Sequence, residues 1–564
     1  MPKVIGIGKQ RYDRIIENDL FYIDKTMFIK EWWENQDDVT LITRPRRFGK
    51  TLNMDMLKCF FSNEYKDRGD LFEGLDIWKE EKYREIQGTY PVIFLSFAKI
   101  KQNTCEDAIA GIKRIICDEI QKYIFLEGWD GLADEEKNNL KNITYGMDDV
   151  TAQEAIASLS NYLSRYYGKN VIILLDEYDT PMQEAYVNGY WEELVSFSRS
   201  FFNATFKSNL YLERAVITGI TRVSKESIFS DLNNLKVITV ESDEYSDTFG
   251  FSEEEVFLAL DDFNLSDKKQ IVKEWYDGFT FGSQRDIYNP WSIINFLENK
   301  KIDTYWADTS SNSLINHLIK KSVPEIKELM ELLLKRESIE VTFDDQIVFN
   351  QLDKSKNAIW SLLVASGYLK IDDIEHKGLL LKPWYHISIT NLETVSMFAN
   401  MFAGWFENPD ARYNDFIKSL LNNDLKGMNY YMNKVALATF SYFDTGKNPS
   451  ETLEPERFYH GFVLGLIVEL SDRYEVKSNR ESGFGRYDVM IIPFDKSEKA
   501  IVLEFKVHES DEEKTLEETV SSALAQIEEK KYDTELINAG VKKENIRHYG
   551  FAFEGKNVLI GTNE

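Results

Sequence analysis

Two groups of residues in this 564-residue chain have the types and spacing to do phosphate chemistry. The first is Gly49-Lys50-Thr51. At a helix start such a triplet offers backbone N–H groups that cradle phosphate oxygens, an ammonium that reaches the β- and γ-phosphates, and a hydroxyl that can ligate Mg²⁺. Its partner is Asp176-Glu177, which ends the apolar run Val171-Ile172-Ile173-Leu174-Leu175. There Asp176 is expected to hold Mg²⁺ through water and Glu177 to activate an attacking water. A lone Gly-Lys-Thr is a common triplet; the ordered pairing with an acid-tipped strand gives it weight. The second group is Asp488, Glu504 and Lys506. Two carboxylates supply hard oxygen ligands for Mg²⁺, and the amine can position or deprotonate a water for attack on a phosphodiester.

The elements that must position these residues are visible in the pattern. Val39 to Thr43 is a short apolar strand, followed by a turn and then a helical pattern with Leu52, Met56 and Leu57 on one face. The loop residues Arg47, Phe48, Gly49, Lys50, Thr51 and Leu52 are therefore the expected nucleotide contacts. The usual motif has glycine five residues before Gly49, where this chain has Arg44. Val171–Leu175 reads as a buried parallel strand with a site at its carboxyl end. A third strand, Ala215 to Thr218, leads to Arg222 at the position of a γ-phosphate sensor. Towards the C-terminus, Tyr474 to Pro493 is a hairpin signal, with Gly483 and Gly485 at its turn. Ala500 to Val507 is a buried strand broken by Glu504 and Lys506, which alternation places on one face. Burying that pair without a purpose would be costly.

Length and composition bound the remainder. A chain of this length exceeds one hydrophobic core, and no Pro/Gly/Ser-rich tract marks a flexible linker. Cys59, Cys105 and Cys117 lack metal spacing, which fits a reducing, cytoplasmic setting. The first residues lack the apolar core of a signal peptide, and the longest apolar stretch, Phe462 to Leu470, is too short to span a bilayer. No membrane role is therefore expected. A net charge of −28 argues against a protein that coats nucleic acid. It leaves room for weak intrinsic affinity helped by Mg²⁺ or by a basic rim of Lys477, Arg480 and Arg486.

Four segments then stand together: Tyr22-Ile23-Asp24-Lys25-Thr26, Arg44 to Leu52, Leu175 to Pro181, and Trp275-Tyr276-Asp277-Gly278-Phe279. With them the chain resembles the bacterial AAA-ATPase-like family, whose members typically end in a PD-(D/E)XK nuclease-superfamily domain. The family writes Arg-Pro-Arg-Arg-Phe-Gly-Lys at its loop, so Arg44 is its norm. The resemblance implies Asp488, Glu504 and Lys506 as the Asp and Glu-x-Lys positions of the nuclease core, and Gln526 as its helix-borne glutamine. The expected fold is α/β throughout: a P-loop NTPase with a mostly parallel sheet over 1–290, a helical, winged-helix-like or connecting segment over 291–453, and a nuclease-like domain over 454–564. The expected cofactors are ATP and Mg²⁺. The partners are nucleic acid, a protein bound through the middle segment, and further copies in an oligomer. The expected function is a nucleotide-gated nuclease acting on DNA or RNA in defence or mobile-element biology. The alternative is a nucleotide-dependent protein-binding switch with a silent nuclease-like module.

Overall fold

A computed structural model describes the chain apart from residues 1, 223–227, 230–231, 307–323, 335, 344–356, 406–412, 440–462, 464–466, 468–469, 471–472, 483–484, 509–512, 555–556 and 564. It forms two compact units, residues 1–321 with 336–395, and residues 322–335 with 396–564. The stretch 291–453, expected as a separate middle domain, is divided between them.

In the first unit, five strands form a wholly parallel sheet in the order β2-β3-β4-β1-β5: β1 Val39–Thr43, β2 Val92–Ser96, β3 Val171–Asp176, β4 Leu212–Gly219 and β5 Leu235–Ile238. β1 and β3 are buried at every position, as strands covered on both faces must be. Register fixes the site: Thr43 pairs with Gly219 and Ser96 with Asp176, so β1, β2, β3 and β4 end at one level. The long segment between β2 and β3 adds the helices Cys105–Gln121, Asp134–Asn142 and Asp149–Tyr167.

Beyond the parallel sheet this unit carries two small antiparallel sheets, the second within the stretch from residue 291 that was expected to be mainly helical. β6 Phe251–Ser252, β7 Phe279–Phe281 and β8 Gln284–Tyr288 form a small antiparallel sheet. β9 Ile339–Val341, β10 Leu369–Lys377 and β11 Lys382–Ile389 form another. The helix Ala358–Ala365 leads through Gly367 into the β10–β11 hairpin, forming a helix-and-hairpin unit. A register shift between Ile371 and Asp373 breaks the strict alternation that would have marked β10 as a strand.

The second unit is built on a mixed sheet in the order β12-β13-β14-β15-β16: β12 Tyr474–Ser482, β13 Gly485–Pro493, β14 Ala500–Val507, β15 Ile546–Glu554 and β16 Asn557–Thr562. β14 and β15 are parallel, joined through the helix Leu516–Lys530, and the other pairings are antiparallel. Residue parity sorts the two cores. Val489, Ile491, Ile501, Leu503 and Phe505 pack with Phe416, Leu420, Met428 and Met432 of the helices Tyr413–Leu421 and Leu425–Thr439. Met490, Ile492, Ala500 and Val502 face Val520, Leu524 and Ile527 of the Leu516–Lys530 helix. Of the apolar stretch Phe462 to Leu470, Val463, Ile467 and Leu470 are described and buried in the first of these cores; the rest lies outside the described residues.

Strand β16 is a sheet edge, and two asparagines a helical turn apart close it. Asn429 donates to Ile560 O at 2.9 Å and accepts from Ile560 N at 2.8 Å; Asn433 donates to Val558 O at 2.6 Å and accepts from Val558 N at 3.0 Å. Each side-chain amide thus stands in for a neighbouring strand's peptide, satisfying an edge that would otherwise be open to pairing. Replacing both by alanine should lower stability by about 2–4 kcal/mol, at roughly 1 kcal/mol for each lost bond. Urea unfolding followed by far-UV circular dichroism measures it, and an unchanged midpoint would refute the role assigned to the pair.

Candidate functional site

The helix Lys50–Phe61 begins directly after β1 and the loop, with Gly49 in the left-handed region at φ 79°. Its first two side chains reach in opposite directions. Lys50, 4 % exposed, donates to Arg44 O at 3.0 Å and Pro45 O at 2.8 Å, bracing the loop from inside. Thr51 donates to Asp176 Oδ2 at 2.7 Å, and Thr218 of β4 donates to Asp176 Oδ1 at 2.6 Å. Asp176 is fully buried. Burial, and then the charge of Glu177, raise its pKa above the usual aspartate range, against the lowering effect of both hydroxyls and Lys50. Burial lowers the Lys50 ammonium, opposed by Glu177, Asp176 and Asp179. The two shifts have one cause: charges held out of water.

Glu177 follows at φ 56°, a conformation that costs a non-glycine residue, and accepts from Thr180 Oγ1 at 3.0 Å. Asp179, not singled out from the sequence, is buried and ties the next helix to the end of β4. Its Oδ2 accepts from Ile220 N at 3.0 Å, Thr221 N at 2.8 Å and Thr221 Oγ1 at 2.7 Å. Gly219 is obligatory beneath it, since an added Cβ would lie 2.7 Å from Asp179 Oδ1. Arg222 comes just after this anchor and is not among the residues lining the cleft described below.

Arg44 proves to be a structural residue. Fully buried, it donates to the carbonyls of Thr43 at 3.0 Å, Thr239 at 2.7 Å and Tyr245 at 3.3 Å, with its guanidinium 4.5 Å over the Phe281 ring. These bonds pin the chain beyond β5, which gives an arginine a structural place where the usual motif has glycine. Phe48 is buried edge-on against Phe279 at 4.7 Å, and the exposed Arg47 lies 4.4 Å over the Trp291 ring.

A cleft of about 500 Å³ opens beside the loop. Arg46, Arg47, Phe48, Gly49, Lys50, Thr51, Leu52 and Glu177 line one side; Ile5, Phe21, Ile23, Phe251, Trp291 and Ile294 supply an apolar wall. The sequence reading missed that wall and also Arg46, whose Nη2 lies 3.5 Å from Gln183 Oε1 at the rim. The signal was present in Tyr22 to Thr26: Asp24 caps Thr26 and binds Asp76 N at 2.8 Å, while Lys25 pairs with Glu255 at 2.7 Å, fixing the wall in place.

In the second unit, the parity that sends Met490 and Ile492 towards the Leu516–Lys530 helix puts Asp488 on that face too. Ala500 and Val502 likewise place Glu504 and Lys506 there. Glu504 is 2 % exposed and accepts from Gln526 Nε2 of that helix. Asp488 Oδ2 accepts from Phe505 N at 2.8 Å, so its side chain takes a place in the ladder between β13 and β14. Gln526 also reaches Tyr532 Oη at 3.4 Å. The Tyr532 phenol is raised first by burial and also by the charges of Glu504 and Asp488. Lys506 is half-buried. Lys477, expected on a basic rim, instead pairs with Glu535 at 3.0 Å; the side chains of Arg480 and Arg486 lie outside the described residues.

A buried Asp176 with a raised pKa costs stability wherever it is ionised. The sign follows from linkage: a carboxyl raised on folding adds stability below its unfolded value and loses that contribution as pH rises through its folded value. In nucleotide-free, metal-free protein, Asp176→Asn should therefore melt higher than wild type at pH 7.5, with the gap narrowing towards pH 4. Melting curves across this range measure it, and a gap independent of pH would contradict the account.

Comparison with known proteins bears out the family resemblance read from the sequence. Residues 6–229 match the AAA-ATPase-like family, described as a predicted AAA-ATPase, and residues 454–563 match the PD-(D/E)XK nuclease superfamily. The chain is 25% identical over 504 residues to an uncharacterized protein in the vnfD 5′ region of Azotobacter chroococcum mcd 1, covering 87% of each. Among solved structures it is similar to a signal transduction ATPase with numerous domains, bearing a tetratricopeptide repeat sensor, from Pyrococcus horikoshii. That similarity has 11% identity and a TM-score of 0.23 over 74% of this chain and 53% of the other, so the chain spans about half that protein's length. One polypeptide thus carries an AAA-ATPase-like domain at residues 6–229 and a PD-(D/E)XK nuclease-superfamily domain at residues 454–563.

Proposed function

We propose that this chain binds ATP with Mg²⁺ in the cleft of the first unit and that its nucleotide state controls Mg²⁺-dependent cleavage of DNA or RNA phosphodiesters by the second. The observation that carries the reading is the meeting of Lys50, Thr51, Asp176 and Glu177 at the strand ends, beside a cleft with a polar and an apolar side. Lys50 would exchange its two loop carbonyls for phosphate oxygens. The Thr51 hydroxyl and the Asp176 carboxylate are hard oxygen donors that suit Mg²⁺. Glu177 would orient and deprotonate the attacking water. The wall of Ile5, Phe21, Ile23 and Trp291 suits the flat face of a purine, which favours a nucleotide over a bare polyphosphate.

At the second site Asp488 and Glu504 offer a donor set of two carboxylates with no sulfur or imidazole, which fits Mg²⁺ better than zinc. When bound, the ion supplies Lewis-acid polarisation of a phosphoryl oxygen or a water. Gln526 orients Glu504 from the helix. Lys506, on the same face, can hold or take the proton of the attacking water. The acidic balance of the chain implies weak affinity for nucleic acid in isolation. A setting in defence or mobile-element biology fits a nuclease kept silent until its nucleotide site changes state.

Lys50→Ala should abolish ATP binding in titration calorimetry, whereas Glu177→Gln should keep binding and slow hydrolysis by about 10²-fold or more. In a cleavage assay on single-stranded, double-stranded and branched DNA and on RNA, activity should require Mg²⁺, differ with and without ATP, and disappear in Asp488→Ala while ATP hydrolysis persists. Wild-type protein that binds no ATP sinks the first half of the reading. Binding of ATP with no cleavage of any substrate would point instead to a nucleotide-dependent protein-binding switch.

A further inference from the structure

The peptide joining Arg46 to Arg47 is held from behind. Arg46 O accepts from Asn289 Nδ2 at 3.2 Å and from Trp306 Nε1 at 3.1 Å. This peptide is trans, so its C=O and N–H point in opposite directions. Asn289 and Trp306 are buried and lie outside the cleft lining, to which Arg46 and Arg47 both belong. The carbonyl is thereby turned from the cleft, and the Arg47 N–H is turned towards it. Arg47 sits at φ 67°, a conformation that a residue with a Cβ keeps only when its surroundings impose it.

We propose that Asn289 and Trp306 are positioning residues of the phosphate-binding loop: together they fix the Arg46–Arg47 peptide with its N–H directed at the nucleotide's phosphates. This rests on the ATP-binding reading. Two donors on one carbonyl use both of its lone pairs, so the peptide cannot flip and present an oxygen to an anion. The clamp is itself anchored. Asn289 Oδ1 caps the helix Pro290–Asn299 by accepting from Trp291 N at 2.9 Å and Ser292 N at 3.3 Å. Trp306 packs on Phe279 at 5.5 Å and Tyr368 at 5.2 Å. The buried Glu393 accepts from Ser292 Oγ at 2.7 Å and from the Trp306 backbone N–H, joining the two halves of the clamp. A loop whose first glycine is replaced by a pinned Arg44 gains its geometry from these outside bonds.

The test uses the full chain and two conservative variants. Trp306→Phe keeps the packed ring and removes the donor; Asn289→Ser keeps a helix-capping oxygen and removes the reach to Arg46. Each should raise the Kd for ATP–Mg²⁺ about five-fold, the effect of one lost hydrogen bond. The loss should appear in KM for hydrolysis rather than in kcat, because phosphate binding of this kind is made equally in ground and transition states. Melting temperatures without nucleotide report any purely structural effect. Variants that melt lower but bind ATP as tightly as wild type would overturn the proposal and leave the ATP reading intact. Wild-type protein that fails to bind ATP would overturn both.

Discussion

The carboxylate of Asp176 is fully buried, and the first unit is arranged around making that tolerable. Two hydroxyls from different elements, Thr51 and Thr218, each satisfy one of its oxygens. To do so the first turn of the Lys50–Phe61 helix, the end of β3 and the end of β4 must stand at one level, which the parallel register provides. A buried carboxylate in a hydrophobic sheet lowers stability unless something compensates it. Here the compensation is partial, since Asp176 remains shifted upward and Lys50 downward. A polyanion accompanied by a divalent cation would complete it, supplying negative charge to Lys50 and positive charge to Asp176.

The second unit applies the same rule in other elements. Its sheet has one apolar face against the Tyr413–Leu421 and Leu425–Thr439 helices and another against Leu516–Lys530. On the second face the rows Met490–Ile492 and Ala500–Val502 are apolar, and they turn polar at Asp488, Glu504 and Lys506. The helix that covers the apolar part supplies Gln526 to the polar part. A strand that stays hydrophobic until its end and then carries charge needs a partner element to carry a polar group at the matching position, and the Leu516–Lys530 helix does.

Much of this was legible in the chain. β3 and β14 are continuous apolar runs with acids at or near their ends, and Val171–Asp176 and Ala500–Val507 are the strands seen. The hairpin of β12 and β13 followed from glycines between alternating segments. Thr51 and Asp176, 125 residues apart, could be paired by their chemistry alone. Partners that depend on register were illegible, as with Asn289, which meets Arg46 across 243 residues. Arg44 was legible only as a departure from the usual glycine that its family shares, because nothing local shows that its guanidinium is taken up by carbonyls beyond β5. Beyond its start at Leu369, polar residues and a bulge hide the period of β10.

The claim on which the account turns is that Thr51 and Asp176 form the cation-holding half of a nucleotide site. Titration calorimetry of the full chain with ATP, in the presence and absence of Mg²⁺, tests it most directly. The account predicts that Mg²⁺ strengthens binding in the wild type and that Thr51→Val, which keeps the shape but lacks the hydroxyl, removes that advantage. ATP affinity that is the same with and without Mg²⁺ in the wild-type protein would contradict it.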